Sequence, residues 1–213
     1  MKRAIVTGGS GFIGYHLAAY LSEKDEMEVT VIDNFARGSS DEMFRSLIEK
    51  ENVIFIEGDM TEKTFYKQLS GRYDYVYHLA AINGTKNFYD RPYDVLRANI
   101  LTLMNMLEWC TKENCGCFLY TSSSETYAGT MNCYLDNHSE YIPTREDIPL
   151  TIDNVLNPRW SYGGSKLIGE ILTSNYGRVK ELPVKIIRYH NIYGPRMGFD
   201  HVLPEFIKRI YDD

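Results

Sequence analysis

The glycine-rich turn near the amino terminus constrains the fold of this 213-residue chain more than any other stretch. Residues 4–6 form a short apolar run typical of a buried strand, and Gly8, Gly9, Gly11 and Gly14 follow it. Apolar residues then recur at helical spacing. Glycines let the backbone turn tightly and approach a pyrophosphate, and a helix directs free N–H groups and its positive dipole end at the phosphates. The order of strand, glycine turn and helix therefore predicts a dinucleotide site.

Strand-like and helix-like patterns alternate over the rest of the chain, without an internal repeat. Alternating βαβ units imply an α/β fold with a doubly wound parallel sheet of the Rossmann type, whose ligands bind at the carboxyl ends of the strands. Further strands are predicted at 29–32, 53–56, 75–79, 117–121 and 184–189. Further helices are predicted at 41–50, 61–70, 93–110, 162–178 and 202–211, and a long irregular loop at 129–158.

Charge and composition argue against several functional classes. The formal net charge of −6 disfavours general binding to nucleic acid or an anionic membrane. No apolar stretch is long enough to span a bilayer, and the chain enters a strand at once, so we expect a cytoplasmic protein without a signal peptide. The four cysteines match no usual zinc spacing, so we expect free thiols and no metal site.

Acidic residues at strand ends indicate where the cofactor binds. Asp33 closes the second predicted strand, about 20 residues after the glycine turn, where a carboxylate can bind the adenine-ribose 2′-OH. Its charge would repel a 2′-phosphate, which favours NAD over NADP, although the nearby Arg37 could soften this preference. A capping Asp at a strand end is the alternative interpretation. Asp59 follows the third strand, where it can meet the adenine edge.

The sequence Tyr162-Gly-Gly-Ser-Lys166 indicates the chemistry, because residues four apart share one helical face. A cationic Lys166 beside Tyr162 is expected to lower the phenol pKa from roughly 10, so that the tyrosine can act as a general base on a hydroxyl. With 17 tyrosines in the chain, a chance pairing is the alternative.

Residues 120–127, at the end of the fifth strand, are rich in hydroxyl side chains that could bind the reacting alcohol. Glu125 in this segment could act as a second acid or base. A Ser/Thr-rich turn is the alternative interpretation.

Together these motifs resemble the extended short-chain dehydrogenase/reductase family, in its nucleotide-sugar epimerase, dehydratase and decarboxylase branch. The resemblance covers nearly the whole chain, including 7–14, the Tyr162/Lys166 pair and 188–196. It implies NAD as cofactor, bound by Gly8, Gly11, Phe12, Ile13, Asp33, Asn34, Asp59, Met60, Leu79, Ala80, Ala81, Asn99, Tyr162, Lys166 and Tyr189. It implies a nucleotide-sugar substrate bound by Ser123, Ser124, Asn191 and Arg196, and catalysis by Ser123, Tyr162, Lys166 and Glu125.

The resemblance also ranks the reactions. In the family, the tyrosine takes the C4 hydroxyl proton while C4 gives hydride to NAD. A sugar 4,6-dehydratase then needs an acid, usually an Asp, where this chain has Ser124. Ser123-Ser124-Glu125 is similar to the Thr-Ser-Glu of UDP-glucuronate decarboxylases, whereas a C4 epimerase needs only the Ser and Tyr. The resemblance thus implies a UDP-glucose 4-epimerase-like enzyme first, with a decarboxylase or dehydratase as alternatives.

Two departures from the family pattern qualify this expectation. Tyr15 stands where the family usually has a small residue, and family members usually continue well beyond Asp213. We therefore expect 1–213 to be a dinucleotide-binding domain, with the start of a substrate-binding region from about residue 191 and most of the substrate domain missing. A truncated NAD-binding module without turnover is the alternative. The resemblance also implies a homodimer that pairs through helices 93–110 and 162–178.

Overall fold

The computed structural model describes residues 1–134, 143–198 and 202–212. Its strands are β1 (Lys2–Thr7), β2 (Met27–Asp33), β3 (Val53–Glu57), β4 (Tyr75–His78), β5 (Cys117–Ser123) and β6 (Val184–Tyr189). They form one sheet in the order β3-β2-β1-β4-β5-β6, and each neighbouring pair is parallel. The doubly wound prediction is confirmed, because the chain moves outward from β1 to β3 and then continues on the other side of β1 from β4 to β6. Such sheets bind ligands where this direction reverses.

Helices connect the strands largely as predicted. The helices are α1 (Phe12–Ser22), α2 (Glu42–Ile48), α3 (Thr85–Asp90), α4 (Pro92–Lys112), α5 (Ala128–Tyr134), α6 (Trp160–Lys180) and α7 (Val202–Asp212). Short 3₁₀ helices span Lys63–Gln68 and Ser124–Tyr127.

Two local predictions differ from the structure, and one helix was missed. The helix predicted at 61–70 is the shorter 3₁₀ helix, held by the buried Phe65 ring against Gly58. The loop predicted at 129–158 begins inside α5, where Gly129 packs directly against the carbonyl of Thr151. Helix α3 was not predicted. Positions 135–142 of the predicted loop lie outside the described residues.

Apolar side chains on the two faces of the sheet form two cores. On one face, α1 and α2 pack Ala18 and Phe44 against Val6 and Val31. On the other face, α4 packs residues such as Leu103, Met106 and Trp109 against Val76 and Phe118, and α6 lies beside α4. The helices therefore hold the sheet from both sides and leave the carboxyl ends of the strands accessible between them.

Side-chain hydrogen bonds tie the carboxyl ends of three strands together. The Thr7 hydroxyl at the end of β1 lies 3.2 Å from Nδ1 of the buried His78, the last residue of β4. The Thr121 hydroxyl of β5 donates to the His78 carbonyl at 2.9 Å. Burial lowers the pKa of His78 to about 3, so this ring is neutral and structural. These bonds fix the spacing of the strand ends that carry the site.

Candidate active site

The glycine turn is built by close approach of two backbone segments. Gly8 has φ +69°, and a Cβ added there would lie 2.9 Å from the Ala80 nitrogen. The Thr7 hydroxyl accepts the N–H groups of Leu79 and Ala80 at 3.1 and 3.0 Å. The structure therefore places the turn and the 79–81 segment, both predicted to contact the cofactor, side by side. A side chain at Gly8 would push them apart.

Helix α1 begins at this turn without a side-chain cap. Gly11 is its N-cap residue, and Phe12 and Ile13 open its first turn. Gly14 packs so tightly against Gly8 that an added Cβ would lie 2.1 Å from the Gly8 carbonyl oxygen. An uncapped helix start, brought this close to a glycine turn, offers N–H groups to an anion. This geometry fits the diphosphate of a dinucleotide.

Asp33 closes β2 beside the turn. Its Oδ2 accepts the Ser10 N–H at 2.9 Å and its Oδ1 accepts the Phe35 N–H at 2.8 Å. Each carboxylate oxygen keeps a further lone pair, so Asp33 can hold the turn and still accept a ribose hydroxyl. The next residue, Asn34, is exposed and accepts the Ala36 N–H at 3.0 Å.

Asp59 and Met60 lie in different surroundings although they are neighbours. Asp59 is exposed and lines a surface groove of about 220 Å³ together with Gly58 and Phe65. The side chain of Met60 is buried in the core, and its carbonyl accepts a hydrogen bond from Asn105. The side chain of Asp59 is therefore accessible to a ligand and that of Met60 is not, while the adenine contact predicted for Asp59 stays a prediction.

The side chain of Asn99 links the segment that follows β4 to α6. Its Oδ1 accepts the Ile82 N–H at 2.7 Å, and its Nδ2 donates to the Ile82 carbonyl and to the Ser165 hydroxyl. The side chain is buried on α4. Both ends of the amide therefore have protein partners, and the cofactor contact that the resemblance implied for Asn99 stays a prediction.

Ser123, Tyr162 and Lys166 converge at the end of β5, on the same edge of the sheet as the glycine turn. The Ser123 side chain lies close enough to the Tyr162 hydroxyl to lower the pKa of this phenol, and the Lys166 ammonium lies 5.6 Å from the centre of the Tyr162 ring. The Tyr162 ring stacks on Phe88 of α3, with ring centres 5.0 Å apart. The unpredicted helix α3 therefore fixes the orientation of this phenol.

The predicted direction of the Tyr162 pKa shift is wrong. Burial raises the pKa of Tyr162; the hydrogen bond from Ser123 and the charge of Arg37 oppose this rise, while the charge of Glu125 adds to it. Lys166 is fully buried and donates to the Thr121 carbonyl at 2.6 Å, and burial lowers its pKa to about 8. Sequence spacing predicted that the two residues share a face, but it could not reveal how strongly both are desolvated.

Glu125 has a partner that the sequence did not indicate. Both of its carboxylate oxygens accept from Arg159, at 2.6 and 3.1 Å. Arg159 immediately precedes α6, three residues before Tyr162. The only sequence signal was a cation next to the start of the predicted helix. This pair holds Glu125 at the edge of the site as a charge-paired carboxylate.

A second, more buried ion pair joins β6 to α6. Arg188 donates to both carboxylate oxygens of Glu170 at 2.8 and 2.7 Å, and to the Tyr127 hydroxyl and the Glu146 carbonyl. Ser122 donates to the same carboxylate at 2.6 Å. The network connects the strand that carries Ser123 to the helix that carries Tyr162, so it sets their separation.

The residues predicted to bind the substrate are not brought together. Ser124 opens a 3₁₀ helix beside Ser123, and Tyr189 pairs with Ser123 across the two strands. Asn191 is exposed beyond the end of β6. Arg196 points to Asp41 and Ser10, at the cofactor end, instead of the sugar end. Its predicted role as a substrate ligand stays a prediction.

The described parts of the chain contain neither a cluster of metal-binding side chains nor a membrane-spanning helix. Within 1–134, 143–198 and 202–212, no three His, Cys, Asp or Glu residues lie together in a way that could hold a metal ion. None of the helices in these ranges has the length and apolar character needed to cross a membrane.

Comparison with known proteins agrees with this geometry. A UDP-N-acetyl-alpha-D-glucosaminuronate decarboxylase from Bacillus cytotoxicus is 34% identical over 97% of this chain and 60% of its own length. A dTDP-D-glucose 4,6-dehydratase from Dictyostelium discoideum is 29% identical over 100% of this chain and 49% of its own. The solved UDP-glucuronic acid 4-epimerase from Bacillus cereus, which holds NAD, superposes with a TM-score of 0.74 at 28% identity, over 100% of this chain and 63% of that one.

The chain thus spans between about half and two thirds of the length of these proteins. Their activities differ, but all three match this chain over nearly its whole length. The family model described as "NAD dependent epimerase/dehydratase family" matches residues 4–213. The chain belongs to the NAD-dependent epimerase/dehydratase family of enzymes.

Proposed function

We propose that this chain is the cofactor-binding and catalytic part of an enzyme that modifies a nucleotide-sugar through transient oxidation at C4 of the sugar, with NAD as hydride acceptor. One observation carries the proposal: the Ser123 side chain, the Tyr162 ring and the buried Lys166 ammonium meet at the end of β5, on the same edge of the sheet as a glycine turn that fits a diphosphate. Residues 1–213 are proposed as the dinucleotide-binding domain, with the substrate region beginning at about residue 191.

The chain's own residues divide the work of the oxidation. NAD, when bound, supplies the hydride acceptor and a positively charged nicotinamide ring near the phenol. Ser123 orients the sugar hydroxyl, and Tyr162 accepts its proton as general base. Lys166 donates to the Thr121 carbonyl and lies beneath the phenol, so its charge stabilises the phenolate once this forms. Phe88 holds the ring and excludes water from one of its faces.

For the cofactor, we propose that Gly8, Gly11, Phe12 and Ile13 contact the diphosphate and that Asp33 accepts the adenine-ribose hydroxyls. The proposal follows from the uncapped start of α1 and from the lone pairs that Asp33 keeps beside the turn. A carboxylate at this position favours NAD over a cofactor with a 2′-phosphate.

Among the possible reactions, we place C4 epimerisation first and decarboxylation second. Epimerisation requires only that the C4 ketone receive its hydride back on the other face. Dehydration requires a protonated acid near C6, whereas Ser124 is a hydroxyl and Glu125 has both oxygens engaged by Arg159. Protonation of Glu125 would break one of these two bonds. The engaged carboxylate therefore disfavours a 4,6-dehydratase.

A specific observation supports decarboxylation as the second candidate. Loss of carbon dioxide from a C4 ketone needs no acid to expel a hydroxyl, so an engaged Glu125 is compatible with it. The Bacillus cytotoxicus relative named as a decarboxylase is 34% identical to this chain. The sugar carboxylate, rather than the protein, supplies the leaving group in that reaction.

Substrate panels distinguish the candidates. This chain, and any longer gene product that contains it, should be incubated with NAD and with UDP-glucose, UDP-glucuronate or dTDP-glucose. Chromatography with mass spectrometry separates an isomer of unchanged mass from a product that has lost carbon dioxide or water. An isomer or a decarboxylated product supports the proposal; absence of any conversion by the longest gene product contradicts it.

The remaining alternative is a module that binds NAD without turnover. It predicts that Tyr162→Phe leaves cellular function unchanged while calorimetry detects normal NAD binding. Loss of function in this variant, with NAD binding retained, excludes the module.

For assembly and location, we propose a homodimer in the cytoplasm. Helices α4 and α6 pack side by side and expose apolar residues such as Met104 and Ile171, which a second copy could cover. All four cysteines are free, as expected in a reducing compartment. Light scattering that gives the mass of one chain would contradict the dimer.

A further inference from the structure

Arg196 makes an ion pair at the cofactor end of the site. Its Nε and Nη2 donate to Oδ2 of Asp41 at 2.9 and 2.7 Å, and Nη2 also donates to the Ser10 carbonyl at 3.3 Å. The arginine side chain is only 8% exposed, although it lies in a segment that follows the last strand of the sheet. It therefore reaches back across the sheet to the first turn of the fold.

Tyr15 supports the same guanidinium group. The Arg196 guanidinium carbon lies 4.1 Å from the centre of the Tyr15 ring, which is close enough for a cation–π contact. The family usually has a small residue at this position, so the structure gives the large Tyr15 a physical role. Tyr15, Arg196 and Asp41 form a chain of contacts that we call the Arg196 clamp.

The neighbours of Arg196 also pack along α1. His16 Nε2 lies 2.9 Å from the Pro195 carbonyl, and the Phe12 ring lies against Gly194. Arg196 itself has φ +67°, a conformation that non-glycine residues rarely adopt. Such a backbone persists only where its surroundings hold it. The 194–196 segment is therefore docked on the helix that begins at the glycine turn.

The other end of the clamp is the loop that follows Asp33. Asp41 ends this loop as the N-cap of α2, accepting the Phe44 N–H with its Oδ1 at 2.8 Å. Gly38 of the same loop packs on Ser10, where an added Cβ would lie 1.8 Å from the Ser10 hydroxyl. The loop thus lies over the glycine turn at the expected adenosine side, and Arg196 ties it there.

We propose that Arg196 is a positioning residue for the dinucleotide: through Asp41 and Ser10 it fixes the adenosine-side loop on the glycine turn, and it couples this loop to the segment that leads toward the substrate. The inference rests on the proposed NAD binding. It assigns Arg196 no contact with substrate. Its function is to keep the 34–41 loop ordered before the cofactor arrives, which reduces the entropy lost on binding.

The test measures NAD affinity by calorimetry in Arg196→Met, Asp41→Asn and the double variant. Asparagine can still cap α2, so Asp41→Asn removes the charge pair without removing the cap. We expect each single variant to weaken NAD binding about tenfold and the double variant to bind no more weakly than Arg196→Met, because Arg196→Met already breaks the contact with Asp41. Arg196→Lys, which keeps the charge, should restore part of the affinity.

The matched control is the exposed pair of Arg145 and Asp147, which has the same chemistry at 2.7 Å but lies in solvent. Arg145→Met should leave NAD affinity unchanged. UDP binding to the NAD-loaded protein should be equal in the wild type and in Arg196→Met, with folding of each variant verified by circular dichroism.

Three outcomes overturn the inference, and a fourth overturns the proposed function instead. Unchanged NAD affinity in a folded Arg196→Met overturns the inference, as does a variant that loses UDP binding but keeps NAD binding. Additive losses in the double variant also contradict the clamp. If the wild type itself binds no NAD, the proposed function fails instead.

Discussion

The turn between β1 and α1 is built from backbone groups, whereas the neighbouring ends of β5 and α6 are built from hydroxyl and charged side chains. In the turn, Gly8 touches Ala80 and Gly14 touches Gly8, with no room for a Cβ between them. At the end of β5, the side chains of Ser123 and Tyr162 meet over a buried Lys166. We call these regions the backbone half and the side-chain half of the site.

The difference teaches which parts of a site tolerate substitution. The backbone half leaves no space for a side chain at its glycines, so any added side chain should disturb the turn regardless of its chemistry. The side-chain half depends on charge and burial, so a variant of the same shape can fold normally and still lose function. The predictions below test this contrast, beginning with the largest expected effect.

Replacement of Tyr162 by Phe should remove catalysis and leave the fold intact. The ring can keep its stacking on Phe88, but no proton acceptor remains at the sugar hydroxyl. We expect turnover to fall by roughly 10² to 10⁴-fold with NAD affinity nearly unchanged, as for the loss of a general base. Initial rates and calorimetry check both parts. Tyr20→Phe, on the exposed side of α1, is the control; a Tyr162→Phe variant as active as that control would refute the assignment.

Lys166 should make stability depend on pH. Burial lowers its pKa from 10.5 to about 8, so between these values the unfolded chain binds more protons than the folded one. Lys166 therefore makes the free energy of unfolding increase as pH rises from 8 to 10.5, by at most about 3 kcal/mol.

Urea unfolding of the wild type and of Lys166→Met at both ends of this interval isolates the effect, because other titrating groups cancel in the difference. The stability advantage of the variant should shrink as pH rises. The exposed Lys180 provides the control variant Lys180→Met, whose curve should run parallel to the wild type. Parallel behaviour of Lys166→Met would show that Lys166 is not desolvated.

A glycine in each half separates the two kinds of constraint. Gly8→Ala places a Cβ 2.9 Å from the Ala80 nitrogen at φ +69°, so we expect a loss of about 2 kcal/mol in unfolding free energy and weaker NAD binding. Gly164→Ala in α6 meets only the Trp160 Cβ at 3.8 Å, so stability should be kept or slightly raised. Denaturant unfolding of both variants measures these changes in unfolding free energy. Equal losses at the two sites would contradict the proposed difference between the backbone half and the side-chain half.

Glu125→Gln should give the smallest effect and act through charge. The carboxylate of Glu125 is one of the groups that raise the pKa of Tyr162, after burial. Without that charge, the tyrosine loses its proton more readily, and the rise of turnover with pH should move to lower pH. A pH–rate profile measures the shift, and movement to higher pH would contradict the proposed arrangement.

Much of the backbone half could be predicted from the sequence. Glycines have no side chain whose partner must be found, and their spacing between a strand and a helix specifies the turn directly. The doubly wound parallel sheet followed from the βαβ alternation. The 3₁₀ helix at Lys63–Gln68 was predicted as a longer helix, and the short α3 was not predicted. Tertiary packing, rather than local sequence, decides whether such short elements form.

The side-chain half was predicted only in part. The meeting of Ser123, Tyr162 and Lys166 follows from strand ends and helical spacing. The partners of Glu125, Glu170 and Arg196 do not, because each ion pair joins elements that are far apart in sequence. The direction of the Tyr162 pKa shift was wrong for the same reason, since burial is a property of the whole fold.

The most direct test of the account is a single-turnover experiment on the NAD-loaded wild type. A saturating nucleotide-sugar is mixed with the protein, and the near-ultraviolet absorbance of reduced nicotinamide is followed beside product formation. The account predicts that reduced nicotinamide appears before the product and decays as an isomer forms, or persists if the C4 ketone loses carbon dioxide and leaves. Product formation without any reduced nicotinamide would contradict the claim that this site oxidises the sugar at C4.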